Sequence, residues 1–235
     1  MKNITLIVAM EQEALPLIQR LQLLNVSRAD ARLPFNVYCG GYKTLNVCLM
    51  SHGIDRVHKV PCVGTQAATL VTMEAIRCYQ PDLIINAGTC GAFAAKGSAV
   101  GQVYMGERIR FYDRRIPLGD YKTYGEGHYP CPEGVTLARA INLPLAVVCT
   151  GNSLDMSPTD EAILRQEPVV AKEMEAGAVA WVASLYSVPV VAIKAVTDLV
   201  DHPVAAPEQF SHNLQRAAEN LCHPVIALLD ELSRR

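Results

Sequence analysis

The chain has 235 residues, of which 50% are hydrophobic, a formal net charge of -2 and eight cysteines. This length and hydrophobic content suffice for one domain with a sizeable buried core. The net charge is close to neutral, and lysine and arginine are scattered along the sequence. Both features argue against a nucleic-acid partner or an anionic membrane surface. No apolar stretch of the sequence approaches the roughly 20 residues that span a bilayer. We therefore expect a cytoplasmic protein without a membrane partner.

In chain order, the spacing of hydrophobic residues predicts strands that alternate with helices. The elements predicted for the first half are a strand over 4–9, a helix over 11–24, a strand pair over 36–50, a helix over 64–79 and a strand over 83–85. Gly40-Gly41 is the predicted turn of the strand pair, and Thr65 is the predicted cap of the second helix. Residues 86–92 are expected to form a loop.

The second half continues the alternation. Its predicted elements are a strand over 101–112, a loop-rich segment over 113–135, a strand over 145–150, a helix over 173–187, a strand over 188–196 and a helix over 208–232. Such alternation implies a mostly parallel sheet with helices on both faces. The predicted fold class is α/β, a single-domain three-layer α/β/α architecture with a mixed, mostly parallel central sheet. We find no repeat or linker and expect one domain over 1–235.

The eight cysteines form no C-x-x-C pair, and several lie inside apolar runs, as Cys48 and Cys149 do. Cysteines in such positions are typical of buried free thiols in a reducing compartment. No cluster of histidine and cysteine has the spacing of metal ligands, so no metal site is predicted.

Polar residues follow several predicted strands, and ligands of open α/β sheets bind beyond the carboxyl ends of strands. The groups in question are Glu11 and Glu13, Asn86 with the Gly88–Gly91 loop, Gly151–Met156, Thr197-Asp198, and the pair Glu173 and Glu175. This edge is rich in carboxylates and poor in cations, apart from Lys172 and Lys194. It suits a transition state that gains positive charge, such as cleavage of a ribosidic bond, and suits phosphate badly.

Each of these residues also has a purely structural interpretation. Glu11 and Glu13 can complement a helix dipole, Asp198 can be a turn residue, and Glu173 and Glu175 can begin a solvated helix. The Gly88–Gly91 loop is not G-x-G-x-x-G and does not favour a dinucleotide. Composition and spacing alone therefore predict an α/β enzyme with an acidic pocket.

Six segments in order carry a more specific signal: AMEQEALPL at 9–17, PDLIINAGTCGAF at 81–93, DRRIP at 113–117, TGNSLDMS at 150–157, EMEAGAVA at 173–180 and KAVTDLVD at 194–201. In them the chain resembles the 5'-methylthioadenosine/S-adenosylhomocysteine nucleosidases of the nucleoside phosphorylase superfamily, and most of all the plant-type methylthioadenosine nucleosidases. The resemblance implies a nucleoside phosphorylase-like fold, a nucleoside substrate, no metal or organic cofactor, and a homodimer. In that dimer the partner's segment near Ile116 and Pro117 helps to cover the alkylthio group.

The resemblance also implies residue roles. Glu13 activates water, Asp198 protonates the leaving adenine, and Met174 and Glu175 hold the ribose. The other substrate-binding residues that it implies are Met10, Thr89, Cys90, Gly91, Leu154, Met156, Glu173, Thr197 and Phe210. Of these, Thr197 orients the aspartate, residues 154–156 meet adenine through their backbone, and Phe210 closes the 5'-thio side.

Two positions depart from the family pattern, namely Asn152 in place of the usual Asp and Ala92 in place of a glycine. Residues 119–132 match no member closely. Three alternatives stay open: a phosphate-dependent nucleoside phosphorylase, a nucleosidase for another substrate such as futalosine, and a non-catalytic relative. A carboxylate at Glu13 repels phosphate and argues against the first. The plant-type resemblance favours methylthioadenosine over S-adenosylhomocysteine.

Overall fold

The computed structural model describes residues 1–26 and 30–235. Its strands are β1 (Lys2–Val8), β2 (Leu24–Val26), β3 (Asn36–Tyr42), β4 (Leu45–Ser51), β5 (Leu83–Ala92), β6 (Val103–Phe111), β7 (Tyr129–Pro130), β8 (Leu145–Thr150), β9 (Val170–Glu173) and β10 (Val190–Leu199). Its helices are α1 (Glu11–Leu21), α2 (Thr65–Tyr79), α3 (Asp120–Glu126), α4 (Pro132–Ile141), α5 (Pro158–Leu164), α6 (Ala176–Leu185), α7 (Ala206–Ser233) and a short 3₁₀ turn at Ala94–Lys96.

All strands belong to one sheet with the order β10-β6-β8-β9-β5-β1-β4-β3-β2, and β7 pairs with β6. Strand β10 also pairs with β5, which closes the strands β5, β9, β8, β6 and β10 into a ring. Parallel pairs join β1 to β4 and β5, β10 to β5, and β8 to β6 and β9. The remaining pairs are antiparallel, so the α/β class with a mixed sheet is confirmed. Among the described strands five pairs are parallel and five antiparallel, with more paired residues in the parallel ones.

Both faces of the sheet are covered by helices. In β1, Ile4, Leu6 and Val8 pack into a cluster with residues of α1, α4 and α7, whereas Ile7 packs with residues of α2 and α6. This alternation follows from the two-residue period of a strand, and burial of both faces explains the continuous apolar runs of the sequence. No helix of the described residues is long and apolar enough to cross a membrane.

The predicted turn at Gly40-Gly41 is wrong. Both glycines lie inside β3, paired with Val47 and Asn46, and the turn falls at Lys43-Thr44, where Lys43 has a φ of 53°. A Cβ at Gly40 would lie 3.2 Å from the Leu23 side chain, so close packing is the constraint there.

The predicted loop over 86–92 is also wrong, since these residues continue β5 and pair with β10. The glycines of this segment do not form a turn. They leave space for side chains of neighbouring elements. A Cβ at Gly88 would lie 3.4 Å from Oε1 of Glu13, and one at Gly91 only 2.6 Å from Oδ2 of Asp198.

Further boundaries differ from the prediction. The predicted helix over 11–24 ends at Leu21, and Leu24 begins β2. The segment 113–135 contains α3, β7 and the start of α4. The predicted helix over 173–187 begins only at Ala176, because β9 extends to Glu173. The residue that caps α2 is Gly64 rather than Thr65, and Thr65 is the first residue of the helix.

Two cysteines are not free thiols. Cys39 and Cys48 face each other across β3 and β4 with their Cα atoms 4.2 Å apart and form a disulfide, while the other six cysteines are free. Such close Cα atoms are typical of a non-hydrogen-bonded antiparallel pair. The pairing follows from the turn at Lys43-Thr44, and a turn at Gly40-Gly41 would not bring these residues into register.

Candidate active site

A cavity of about 210 Å³ lies where β1, β5 and β10 end, beside the end of β9. It is lined by Ala9, Met10, Glu13, Val63, Thr89, Cys90, Gly91, Leu154, Lys172, Glu173, Met174, Glu175, Thr197, Asp198 and Phe210. The fold thus brings the predicted site residues together, with one exception. Met156 does not line the cavity, because its side chain packs against the cluster that contains Phe93 and Tyr112.

Glu13 lies in the first turn of α1 and is only 2% exposed. Its Oε1 accepts hydrogen bonds from the backbone N–H of Thr89 (2.8 Å) and from the Thr89 hydroxyl (2.7 Å). Its Oε2 accepts from the N–H of Met10 (3.1 Å). These donors fix the carboxylate at the cavity wall. Glu13 therefore lies both at the start of a helix and in the lining of the cavity.

The neighbouring Glu11 has a different environment. Its carboxylate accepts hydrogen bonds from the hydroxyls of Tyr38 and Ser51 and from the Asn36 amide. It is absent from the cavity lining. Of the two acidic residues at the start of α1, only Glu13 faces the cavity.

Asp198 lies near the end of β10 at a bulge. Val196 pairs with Cys90 and Asp198 with Gly91, so Thr197 is the extra residue. Bulges re-aim side chains and occur often beside active sites. The Thr197 hydroxyl lies 2.8 Å from Oδ1 of Asp198 and 3.2 Å from the Cys90 carbonyl oxygen. Burial raises the pKa of Asp198, while Thr197 and Lys172 oppose that rise. A raised pKa favours the protonated form that a general acid needs.

Glu175 precedes α6 and is buried, next to Met174. Its Oε1 accepts a hydrogen bond from the N–H of Gly64 (2.8 Å). Burial, followed by the nearby charge of Glu173, raises the pKa of Glu175, and Lys194 opposes this. Gly64 has a φ of 90°, a conformation that suits glycine, so the start of α2 helps to hold this carboxyl group.

Glu173 lines the cavity, but its carboxylate is committed to the protein. It forms a salt bridge with Lys194 (2.8 Å) and accepts hydrogen bonds from the N–H groups of Glu175 (3.0 Å) and Ala176 (2.8 Å) and from the Thr150 hydroxyl. These contacts commit its carboxylate to the start of α6 and to Lys194, while the residue still lines the cavity.

The lining contains three residues to which the sequence assigned no role in the site, namely Ala9, Val63 and Lys172, and of these only Lys172 was expected at this edge. Ala9 follows β1 directly, so the expectation that ligands bind beyond the carboxyl ends of strands could have identified it. Val63 comes from the long connection before α2, which no strand end marks. Lys172 donates to the carbonyl oxygens of Ser153 (2.7 Å) and Leu154 (2.9 Å). Of the two cations expected at this edge, Lys172 lines the cavity and Lys194 does not.

The two departures from the family pattern have structural explanations. Oδ1 of Asn152 accepts a hydrogen bond from the N–H of Thr65 (3.0 Å) and lies 3.0 Å from its hydroxyl oxygen, at the N-terminus of α2. Asn152 does not line the cavity. Ala92 is buried in β5 and has no positive φ, so no glycine is required there.

Within the described residues, no group of three or more His, Cys, Asp or Glu side chains is placed to hold a metal ion. The polar groups of the cavity are instead carboxyls with distinct partners. Glu13 accepts three hydrogen bonds, whereas burial dominates the environment of Asp198. Two carboxyl groups in such different environments can serve as a base and an acid in one reaction.

The fold and this arrangement define a member of the phosphorylase superfamily, whose family model matches residues 3–230. Two Arabidopsis thaliana proteins are similar over most of their length. One, a 5'-methylthioadenosine/S-adenosylhomocysteine nucleosidase, is 40% identical over 98% of this chain and 92% of its own length. The other, a 5'-methylthioadenosine nucleosidase, is 39% identical over 90% of this chain and 80% of its own. The chain therefore belongs to this nucleosidase family.

Solved structures agree with the family assignment. The apo structure of Arabidopsis thaliana 5'-methylthioadenosine nucleosidase superimposes with a TM-score of 0.96 at 36% identity, covering 100% of this chain and 97% of the other. The futalosine hydrolase of Helicobacter pylori superimposes with a TM-score of 0.80 at 17% identity, covering 98% of each chain. That second similarity shows a shared fold alone.

Proposed function

We propose that this protein hydrolyses the N-ribosidic bond of 5'-methylthioadenosine, releasing adenine and 5-methylthioribose in methionine salvage. The observation that carries the proposal is the placement of two carboxyl groups in one cavity: Glu13 accepts three hydrogen bonds, and burial raises the pKa of Asp198. The whole chain, residues 1–235, acts as one nucleosidase domain. The acid and the base are both side chains, so the reaction needs no metal or organic cofactor.

In the proposed reaction, Glu13 holds a water molecule beside the anomeric carbon. As the bond from that carbon to the purine nitrogen breaks, the sugar gains positive charge and the base gains negative charge. Asp198 transfers its proton to a ring nitrogen of the departing adenine. The water oxygen bonds to the anomeric carbon, and Glu13 takes the released proton.

Glu175 accepts hydrogen bonds from the ribose hydroxyls, and Met174 packs beside the sugar. Both residues line the cavity next to Glu173, which fixes the start of α6. Exclusion of water by Met174 strengthens the electrostatic effect of the carboxylates on the developing charge.

The 5' substituent is proposed to be small and apolar. The lining contains Met10, Val63, Leu154 and Phe210, which suit a methylthio group. An S-adenosylhomocysteine tail needs polar partners for its amino and carboxyl groups. We therefore expect methylthioadenosine to be the preferred substrate and S-adenosylhomocysteine to be cleaved less efficiently.

The protein is further proposed to act as a homodimer. Leu118, Tyr121 and Tyr124 are 67%, 61% and 53% exposed, and Leu70 and Met73 of α2 are also exposed. Exposed apolar side chains of this kind often belong to protein interfaces. Ile116 and Pro117 line a separate cavity of about 290 Å³, which leaves them available to a second copy.

We place the protein in the cytoplasm, with the six free cysteines in support. The Cys39–Cys48 disulfide is the one observation in the described structure that opposes this location.

Adenine release from methylthioadenosine and from S-adenosylhomocysteine, each with and without phosphate, tests the function. Phosphate-independent release, faster from methylthioadenosine, is the expected result. Release that requires phosphate identifies a phosphorylase and contradicts the proposal. Absence of release from both substrates contradicts it too, and directs the next assay to futalosine.

A further inference from the structure

Lys172 places a buried ammonium group in the cavity wall, and none of the roles above uses it. Its side chain is 4% exposed. Lys194, which is also buried, forms a salt bridge with Glu173, whereas no salt bridge of Lys172 is found among residues 1–26 and 30–235. Burial of a charge without an ion-pair partner is unfavourable unless other polar groups compensate. Burial accordingly lowers the pKa of Lys172, opposed by the charges of Asp198, Asp155, Asp160 and Glu173.

The first contact of Lys172 is with the segment that precedes α5. Its ammonium donates to two successive carbonyl oxygens, those of Ser153 at 2.7 Å and Leu154 at 2.9 Å. In a trans peptide the N–H points away from the carbonyl of the same unit. Two bonds from one ammonium therefore fix the directions of the Leu154 and Asp155 N–H groups. Leu154 lines the cavity, in the segment assigned above to adenine.

The second relationship is with Asp198, across a single glycine. Gly91 pairs with Lys172 of β9 on one side and with Asp198 of β10 on the other. Register partners project their side chains to the same face of a sheet. Gly91 contributes no side chain between them, and a Cβ there would lie 2.6 Å from Oδ2 of Asp198. The ammonium and the carboxyl group thus share one face of the sheet.

We propose that Lys172 is a positioning residue for the departing base, fixing the backbone of residues 153–155 and acting on Asp198 across Gly91. This inference rests on the proposed function. As the ribosidic bond breaks, the purine gains negative charge, which a nearby ammonium stabilises through space. Its ammonium donates to Ser153 and Leu154 and lies 5.7 Å from the centroid of the Tyr112 ring, and none of these partners belongs to the hydrogen-bond set of Glu13, so we assign Lys172 no part in water attack.

The test compares two leaving groups on the same sugar. Adenine departs with help from Asp198, whereas p-nitrophenolate departs from a p-nitrophenyl 5-methylthioriboside without protonation and without contacts to residues 153–155. Lys172→Met keeps the chain length and removes the charge. We expect kcat/KM for methylthioadenosine to fall about 10- to 100-fold and kcat/KM for the aryl riboside to stay near its wild-type value.

The pH profile adds a readout that a merely structural role would not move. The charge of Lys172 lowers the pKa of Asp198, so its removal keeps Asp198 protonated to higher pH. The alkaline limb of kcat/KM for methylthioadenosine is expected to shift upward in Lys172→Met. Lys172→Gln retains an N–H donor for the carbonyls but no charge, and is expected to show the same shift with a KM closer to wild type.

Lys96→Met is the matched control. Lys96 also donates to backbone carbonyls, those of Arg165 and Glu167, but it lies outside the cavity. It should leave both kcat/KM values and the pH profile unchanged. Equal losses of Lys172→Met on both substrates, or no loss on either, overturn the inference while wild-type adenine release still supports the function. A wild-type protein that releases no adenine overturns both.

Discussion

The Thr197 hydroxyl lies 2.8 Å from Oδ1 of Asp198, and the two residues occupy a bulge of β10 beside Cys90 and Gly91. The bulge turns Asp198, rather than its neighbour, into register with Gly91. The hydroxyl then holds one carboxyl oxygen, while Oδ2 occupies the space that a side chain at position 91 would fill. A buried, oriented carboxyl group with a raised pKa results, as general acid catalysis requires.

Asp198→Asn should keep the fold but lose most turnover of methylthioadenosine, about 10²- to 10⁴-fold, because the amide cannot supply a proton. Steady-state kinetics on both leaving groups measures the effect, and the p-nitrophenyl riboside should retain most of its activity. Asp201→Asn is the control, since Asp201 accepts the N–H groups of Ala94 and Ala95 and does not line the cavity. Near-normal adenine release by Asp198→Asn removes this residue from the mechanism.

Glu13→Gln should reduce turnover of both substrates by about 10²- to 10⁴-fold, since water attack is common to both and the amide cannot accept the proton. This pattern distinguishes the base from the acid. The comparison variant is Glu11→Gln, because Glu11 bonds to Ser51 and Tyr38 outside the cavity. A loss confined to methylthioadenosine would contradict the assignment of Glu13 to water activation.

Gly91→Ala should destabilise the protein by about 1–3 kcal/mol and abolish most activity, because the added methyl group overlaps the Asp198 carboxyl. The new carbon would lie 2.6 Å from Oδ2 of Asp198 and 2.9 Å from a methyl carbon of Val200. Chemical denaturation and adenine release measure the two effects. Gly41→Ala has no atom within 4 Å of the added carbon and should be almost neutral. Wild-type activity in Gly91→Ala would show that Asp198 does not need its present position.

His52 should make stability depend on pH in the acid range. Its ring is buried, Nδ1 donates to the Cys62 carbonyl oxygen at 3.0 Å, and burial lowers its pKa from 6.5 to about 4. Between pH 6.5 and about 4, His52 therefore binds a proton in the unfolded chain but stays neutral in the folded chain. The stability contribution is complete above pH 6.5 and is lost as pH falls to about 4, by roughly 3 kcal/mol.

Denaturation of wild type and His52→Asn at a series of pH values checks this expectation. The asparagine keeps a donor near the Nδ1 position and cannot titrate, so its stability should fall less between pH 6.5 and 4. His58→Asn removes an exposed histidine and should reproduce the wild-type slope. Identical slopes for all three proteins would contradict a neutral, buried His52.

The Cys39–Cys48 disulfide predicts six titratable thiols in protein that is denatured without reductant, and eight after reduction. A colorimetric thiol assay counts them directly. Cys39→Ser leaves seven cysteines and removes the partner of Cys48, so it should give seven thiols both without reductant and after reduction. Eight thiols in the unreduced wild type would show that the bond is absent and would strengthen the cytoplasmic assignment.

Most of the architecture was predictable because hydrophobic periodicity reports burial. The runs that became β1, β5, β8 and β10 are continuous and apolar, as strands buried on both faces require. The polar residues that follow apolar runs predicted Glu13, Asp198 and the pair Glu173 and Glu175 at one edge of the sheet, and the motif resemblance implied their roles and added Phe210. The glycines were not predictable in this way. Gly40, Gly88 and Gly91 lie where side chains distant in sequence pack closely against the backbone, and none of them forms a turn.

The sequence by itself determined the alternating elements, the family and the carboxyl groups of the site, because each of these depends on local patterns or contiguous motifs. Only the tertiary structure decided which residues meet. The partnership of Lys172 and Asp198 across Gly91, the Cys39–Cys48 bond and the capture of Glu173 by Lys194 all depend on strand register. Register is set by long-range pairing within the whole sheet, and no local spacing in the chain encodes it.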